Sequence, residues 1–314
     1  MSEPLNQVLF VNSDRIGDCI MFSGVIDEIR RRAPDARITV ACGAPAVALF
    51  RSTPGVEAVI ALHKRPFGGH WRDLWRRAAG VRWRMVVDIR GSTLAYTLRA
   101  QERRVYGRRF ETGVPKVEMV GRMMGADGPL DPHIYIDDKA RADARAVMGE
   151  GGGPILALAP ISNVLDRSWP ADRWGQLVER LAAEPRFSGW RFMPVGGPGD
   201  QAAAAPAMQA AGDRAIGFVG RGDILASAAA LQAATLFVGN DSGLMHLSAA
   251  VGTPTLGLFG PSEWWRKAPW GPKGHVVSVS PERGVFRPID ELSVDRVFEA
   301  VLALQDRYAA PSAP

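Results

Sequence analysis

Residues 234–270 read A-T-L-F-V-G-N-D-S-G-L-M-H-L-S-A-A-V-G-T-P-T-L-G-L-F-G-P-S-E-W-W-R-K-A-P-W. Leu236-Phe237-Val238 is a short apolar run of the kind a buried parallel strand needs. Gly239 to Gly243 is loop and helix-start chemistry, with Asp241 and Ser242 as cap residues and glycines that let backbone approach a ligand. Residues 244–251 read as a short helix of small residues closing on Gly252, with Pro254 just beyond. Residues 255–259 read as a second buried strand, stopped by Gly260-Pro261. The result is a strand–loop–helix–strand unit. The helix start at residues 242–244 offers unpaired N–H groups and a positive dipole end to an anion such as phosphate. Asp241 and His246 lie five residues apart and could turn a carboxylate and an imidazole toward one cleft. A capping Asp and a core His would give the same pattern.

The same alternation extends outward in both directions. Residues 8–11 read as a buried strand, 12–17 as a loop, and 18–32 as one amphipathic helix opened by Asp18, with Met21, Phe22, Val25, Ile26 and Ile29 on its apolar face. Further strands are expected at 37–41, 57–61, 85–89 and 105–106, and a helix at 71–79. In open α/β sheets ligands bind beyond the carboxyl ends of the strands, which makes the loop after the first strand a prime site. After a polar helix at 138–148, G-E-G-G-G-P at 149–154 reads as a hinge. It places a domain boundary near residue 152, giving domains 1–152 and 153–314. In the second half, strands are expected at 155–159, 191–195 and 216–219, and helices at 171–183 and 223–234. A final helix at 294–304 is expected to pack back across the domains.

The chain has 314 residues, 46% of them hydrophobic, enough for two packed cores. Two cysteines, Cys19 and Cys42, are too few for a disulfide framework and read as small apolar residues in a reducing compartment. No signal peptide is evident, and no window approaches the 18 or more apolar residues that cross a bilayer. A cytoplasmic location is expected. The net charge is +5. Thirteen cations stand against three carboxylates between residues 63 and 109, interleaved with Trp71, Trp75 and Trp83. Such a surface suits an anionic acceptor or the inner face of an anionic membrane. No nucleic-acid motif accompanies it, so no nucleic-acid partner is expected.

The string D-S-G-L-M-H-L-S-A-A-V-G-T-P-T-L-G-L-F-G-P at 241–261 resembles the signature of glycosyltransferase family 9, the lipopolysaccharide heptosyltransferase family. V-L-F-V-N-S-D-R-I-G-D-C-I at 8–20 resembles the same family's N-terminal signature. The resemblance implies a GT-B fold of two Rossmann-like doubly wound domains facing a cleft, with the acceptor on the first and the nucleotide sugar on the second. It implies metal-independent, inverting transfer from a nucleotide-diphosphate sugar, with ADP-heptose as donor and no cofactor. The acceptor would be a lipopolysaccharide-type or other saccharide hydroxyl. The family's proposed general base falls on Asp18, and a positioned carboxylate there could take the acceptor's proton. A helix-capping Asp would occupy the same place.

For the donor diphosphate, the resemblance implies Ser162, Asn163 and Arg167 in the loop 160–170, together with Ser242, Gly243 and His246. Arg167 stands where many members carry Lys, and Asn163 where they carry a hydroxyl. Asp241 would orient sugar hydroxyls. Asp200, after the glycine-rich turn 196–199, would meet the ribose, although a plain turn reads equally there. On the acceptor side stand Lys64 and Arg65, with Lys116 and Glu118 from a Lys-Val-Glu helix start. An epimerase or hydrolase on the same fold, or a non-catalytic nucleotide-sugar-binding protein, are the competing readings. No G-x-G-x-x-G follows the first strand, as a dehydrogenase would require.

Overall fold

The computed structural model describes residues 6–110, 113–162 and 164–309. Two compact α/β units divide between Tyr135 and Ile136. In the first, β1 (Gln7–Val11), β2 (Arg37–Gly43), β3 (Val56–Leu62), β4 (Trp83–Asp88) and β5 (Ala100–Val105) form one parallel sheet in the order β3-β2-β1-β4-β5. In the second, β6 (Ile155–Ala159), β7 (Arg191–Gly196), β8 (Phe218–Val219), β9 (Leu236–Asn240), β10 (Thr255–Phe259) and β11 (Gly274–Ser278) are parallel in the order β11-β10-β9-β6-β7-β8. Central strands such as β1, β6, β9 and β10 are buried almost throughout, because helices cover both faces of a doubly wound sheet.

Each sheet starts at a central strand, winds to one edge, then crosses over and winds to the other. The order reverses between β1 and β4 in the first unit and between β6 and β9 in the second. Loops leaving the carboxyl ends of such a pair diverge and leave a crevice for ligand. Asp18, at the start of the helix after β1, and Arg167 and Asp241, in the loops after β6 and β9, follow these switch strands.

Several elements differ from the expectations. The helix expected over 18–32 is two helices, α1 (Ile16–Met21) and α2 (Gly24–Arg32). The break lies at Phe22-Ser23, where the Ser23 hydroxyl donates to the Ile20 carbonyl at 2.7 Å. Gly24 then meets the returning backbone closely: a Cβ there would stand 2.4 Å from the Asp131 carbonyl oxygen. β5 spans Ala100–Val105 rather than 105–106, because its Q-E-R-R stretch is the polar edge of the sheet and carries no apolar run. The strand expected over 216–219 shortens to Phe218–Val219.

The boundary expected near residue 152 falls instead at 135/136. After α3 (Gly69–Ala78), α4 (Leu94–Thr97) and α5 (Lys116–Met124), the helix α6 (Asp138–Met148) packs on α9 (Ile224–Ala233) of the second unit. The G-E-G-G-G-P stretch is therefore a loop inside that unit. α7 (Ala171–Ala183) and the alanine-rich α8 (Gln201–Ala211), which encloses Pro206, pack together. α10 (Gly243–Ala250) and α11 (Trp264–Lys267) follow the two signature strands. The last helix, α12 (Val294–Tyr308), buries Val297, Val301, Leu302 and Leu304 in the second unit's own core, beside Trp169, Trp174 and Phe192.

Candidate functional site

In the first unit the chain leaves β1 through Asn12. Its Oδ1 accepts the Ser13 N–H at 2.7 Å and its Nδ2 donates to the Cys19 carbonyl at 3.3 Å, tying the loop to α1. The glycine ending β2 makes room for this loop, since a Cβ on Gly43 would lie 2.4 Å from the Asp14 carbonyl oxygen. Asp18 is the third residue of α1 and does not occupy the cap position, which belongs to Arg15. Its side chain is 19% exposed and held from two directions. Lys116 Nζ, at the start of α5, donates to Oδ1 at 2.5 Å, and Ser13 Oγ donates to Oδ2 at 3.3 Å. Lys116, expected on the acceptor, is thus in direct contact with the candidate base.

Asp14 is bracketed by cations, Lys64 at 2.8 Å and Arg90 at 3.4 Å. Burial pushes its carboxyl upward, but the Lys64 hydrogen bond and the Arg90 charge outweigh burial and hold it below the ordinary carboxylate range. Arg90 also lies over the Trp71 ring at 5.5 Å. The loop carrying Arg90 is shaped by buried Asp88, which accepts the Arg90 N–H at 2.8 Å, the Ser92 N–H at 3.0 Å and the Ser92 hydroxyl at 2.5 Å. Burial raises the Asp88 carboxyl above its ordinary value against these bonds. Arg65 pairs with Asp73 at 2.7 Å, and Glu118 with Arg122 one turn along α5 at 3.8 Å. Neither is joined to Asp18. Asn12, Ser13, Asp88 and Arg90 escaped the sequence reading of the site. An acid following the apolar run 85–87 was the signal available for the Asp88 loop.

In the second unit three contacts stitch the loop after β6 to the loop after β9. Ser162 Oγ donates to the Asp241 carbonyl at 3.0 Å, Arg167 Nη1 lies 3.1 Å from Asp241 Oδ2, and the Trp169 N–H donates to Asn240 Oδ1 at 3.1 Å. The Ser162 proton expected on a phosphate is committed to this stitch. The Arg167–Asp241 contact is an ion pair without hydrogen-bond geometry, on a carboxylate only 4% exposed. Asn163 lies outside the described residues.

Ser242 holds the cap position of α10, but its hydroxyl makes no cap bond, so the helix opens uncapped. Among the described residues the buried Asn240 Nδ2, Ser242 Oγ, Ser262 Oγ and Trp264 Nε1 have no hydrogen-bond partner. Buried polar atoms are rarely left so. These four lie along the chain at the end of β9 and in the segments that follow β9 and β10, one of which opens α10, a helix start that favours an anion. Gly243 is the first residue of α10, and His246, buried, is its fourth. Asp200 lies apart from these stitches: its carboxylate accepts the Gly197 N–H at 2.7 Å and closes its own turn. Ser262 and Asn240 were missed by the sequence reading; they flank the two ends of the 241–261 string. Trp264 and Trp265 meet edge to face at 6.0 Å, and Trp265 stacks on Phe286 at 6.2 Å.

Chemically, the first unit offers a fixed carboxylate among cations. The second offers a guanidinium, an uncapped helix and unpartnered polar groups, a set matched to a phosphate-bearing ligand. Among the described residues no three His, Cys, Asp or Glu side chains cluster as metal ligands, and no helix is long and apolar enough to cross a membrane.

The chain is similar to proteins of known family and structure. Lipopolysaccharide heptosyltransferase 1 of Pseudomonas aeruginosa is 25% identical over 291 residues, covering 82% of this chain and 79% of that one. A glycosyl transferase family 9 structure from Veillonella parvula superposes with a TM-score of 0.81 at 18% identity, covering 98% of this chain and 99% of that chain. The E. coli heptosyltransferase WaaC with ADP superposes with a TM-score of 0.73 at 16% identity, covering 95% and 99%. The fold is therefore GT-B, two parallel-sheet α/β domains. The family model for glycosyltransferase family 9 (heptosyltransferase) matches residues 95–285, more than half of the sequence, and the chain belongs to that family.

Proposed function

We propose that the protein is an inverting heptosyltransferase that moves a heptose from ADP-heptose to a hydroxyl of a lipopolysaccharide-type saccharide, without a metal ion. The observation that carries this reading is the uncapped start of α10 beside Arg167, with the Ser242 and Ser262 hydroxyls buried and unpartnered there. These groups fit the diphosphate of a nucleotide sugar. In the proposed step the Asp18 carboxylate takes the proton of the acceptor hydroxyl. The freed oxygen pair forms a bond to the anomeric carbon from the face opposite the diphosphate. The bond between that carbon and the diphosphate oxygen breaks, and ADP leaves with the electron pair. Arg167, the first amides of α10, Ser242 and His246 stabilise the charge that grows on the leaving group. Asp241 orients sugar hydroxyls, and Asp200 faces the ribose. Ser162 serves by holding its loop to Asp241. Lys64, Arg65 and Glu118 meet a lipid-linked anionic acceptor at the inner face of the cytoplasmic membrane, while Lys116 fixes the base.

The test is incubation with ADP-heptose and a heptose-deficient lipopolysaccharide core, following sugar incorporation and ADP release separately. Incorporation matched to ADP release supports transfer. ADP release without incorporation makes the protein a hydrolase, and binding without either makes it a carrier. Asp18→Asn should lower transfer about 10²–10⁴-fold with ADP affinity kept. A chelator should leave the rate unchanged, and a loss restored by added metal would overturn the metal-independent part.

A further inference from the structure

The segment after β3 carries an anomaly that the site does not use. Phe67 is fully exposed, at 108% relative accessibility, and its backbone is left-handed with φ 53°. It is the one non-glycine residue with positive φ among those described. A bulky side chain gains nothing from such a backbone, and here it buries nothing within the fold. Gly68 follows at φ 71° in the cap position of α3, so two consecutive left-handed residues set the phenyl ring at the tip of a turn. Along α3, Leu74 and Ala78 face the core, while Trp75 on the flank of that face is 45% exposed. The same segment carries Lys64, Arg65, Arg72, Arg76 and Arg77; Lys64 pairs with Asp14, Arg65 and Arg76 share Asp73, and the segment keeps a net positive charge. All five cations are exposed. An exposed aromatic tip, a half-exposed Trp and a run of exposed cations in one short segment match a surface with apolar depth and negative headgroups.

We propose that the 64–77 segment is a docking surface for an anionic lipid bilayer, with Phe67 entering the headgroup boundary and Trp75 lying at its edge. The proposal deepens the reading of a lipid-linked acceptor, but its test involves no sugar transfer, so the two stand or fall separately. The full chain is sedimented with vesicles of phosphatidylcholine containing 30 mol% phosphatidylglycerol, roughly a bacterial inner-leaflet charge, and with phosphatidylcholine alone. The wild type should pellet with the anionic vesicles and weakly with the neutral ones. The double variant Phe67→Ser/Trp75→Ser should lose at least about tenfold in partitioning while its circular dichroism stays native, and Phe67→Leu should retain most of the binding. Absence of pelleting by the wild type would overturn the proposal. So would equal pelleting on neutral vesicles, or equal pelleting by the double variant. A wild-type dimer in solution that the double variant splits would give this face to a second copy of the chain and overturn it as well.

Discussion

The two switch-point crevices are built alike and finished differently. Around β1 and β4 the charged groups are paired: Asp18 with Lys116 and Ser13, and Asp14 with Lys64 and Arg90. Around β6 and β9 one ion pair, Arg167–Asp241, stands among buried polar atoms that have no partner among the described residues. The first crevice is balanced within the protein, its carboxylates held in place by neighbouring cations and a hydroxyl. The second holds side-chain donors and acceptors that no other described protein group engages, the capacity that the proposed diphosphate ligand would use.

The largest effect that would test the contrast is at Arg167. Arg167→Ala should lower kcat/KM for transfer by about 10²–10³-fold, as for loss of a group that stabilises developing charge. Arg167→Lys should recover part of it, because the charge returns without the flat fork. Equal rates for Arg167→Ala and wild type would take the second crevice out of the chemistry. Next, Lys116→Met leaves a mostly buried carboxylate without its cation and should cost about 1–2 kcal/mol in urea unfolding. Adding Asp18→Asn to Lys116→Met should restore much of that stability, a coupling a double-mutant cycle reads directly.

Ser242→Ala should do the reverse. Its hydroxyl has no partner to strand, so the melting temperature should hold or rise while ADP binds about 2–10-fold more weakly, the loss of a hydrogen bond of about 0.5–1.5 kcal/mol. A fall in stability at Ser242 matching that at Lys116 would erase the distinction between the crevices. The smallest effect belongs to Glu28 on α2. The Arg31 hydrogen bond lowers its carboxyl below the ordinary value, burial opposes this, and Arg32 adds to the lowering. The stabilisation is present above the unfolded carboxyl's range and fades as pH falls through the lowered value. Arg31 is 68% exposed, so Glu28→Gln should remove only a few tenths to about 1 kcal/mol at pH 7 and flatten the acid limb of the melting curve.

The sequence was most legible where burial writes a pattern. β9, α10 and β10 follow the strand–loop–helix–strand reading because both faces of that sheet are covered and the runs are uninterrupted. β5 and β11 escaped because edge strands face water and carry charge or glycine in place of an apolar run. α8 escaped because alanines give no amphipathic contrast and Pro206 reads as a breaker. Of the candidate site, Asp18 and Asp241 were singled out by their place in signatures that span contiguous residues, and Arg167 by the resemblance of the loop 160–170. The partners that fix them were not, since Lys116 meets Asp18 across 98 residues of sequence and Ser162 meets Asp241 across 79. The G-E-G-G-G-P stretch misled for a related reason: local composition marks a loop, whereas a domain edge depends on which helix α6 meets in space.

That separation along the chain has a consequence for synthesis. A nascent polypeptide released from the ribosome before α5 already holds all five strands of its first sheet, yet its Asp18 carboxylate has only the nearby Ser13 to steady it. Because α5 also buries Val117, Val120 and Met124, a product truncated ahead of residue 116 would lose core packing and the cation on the Asp18 carboxylate at one stroke.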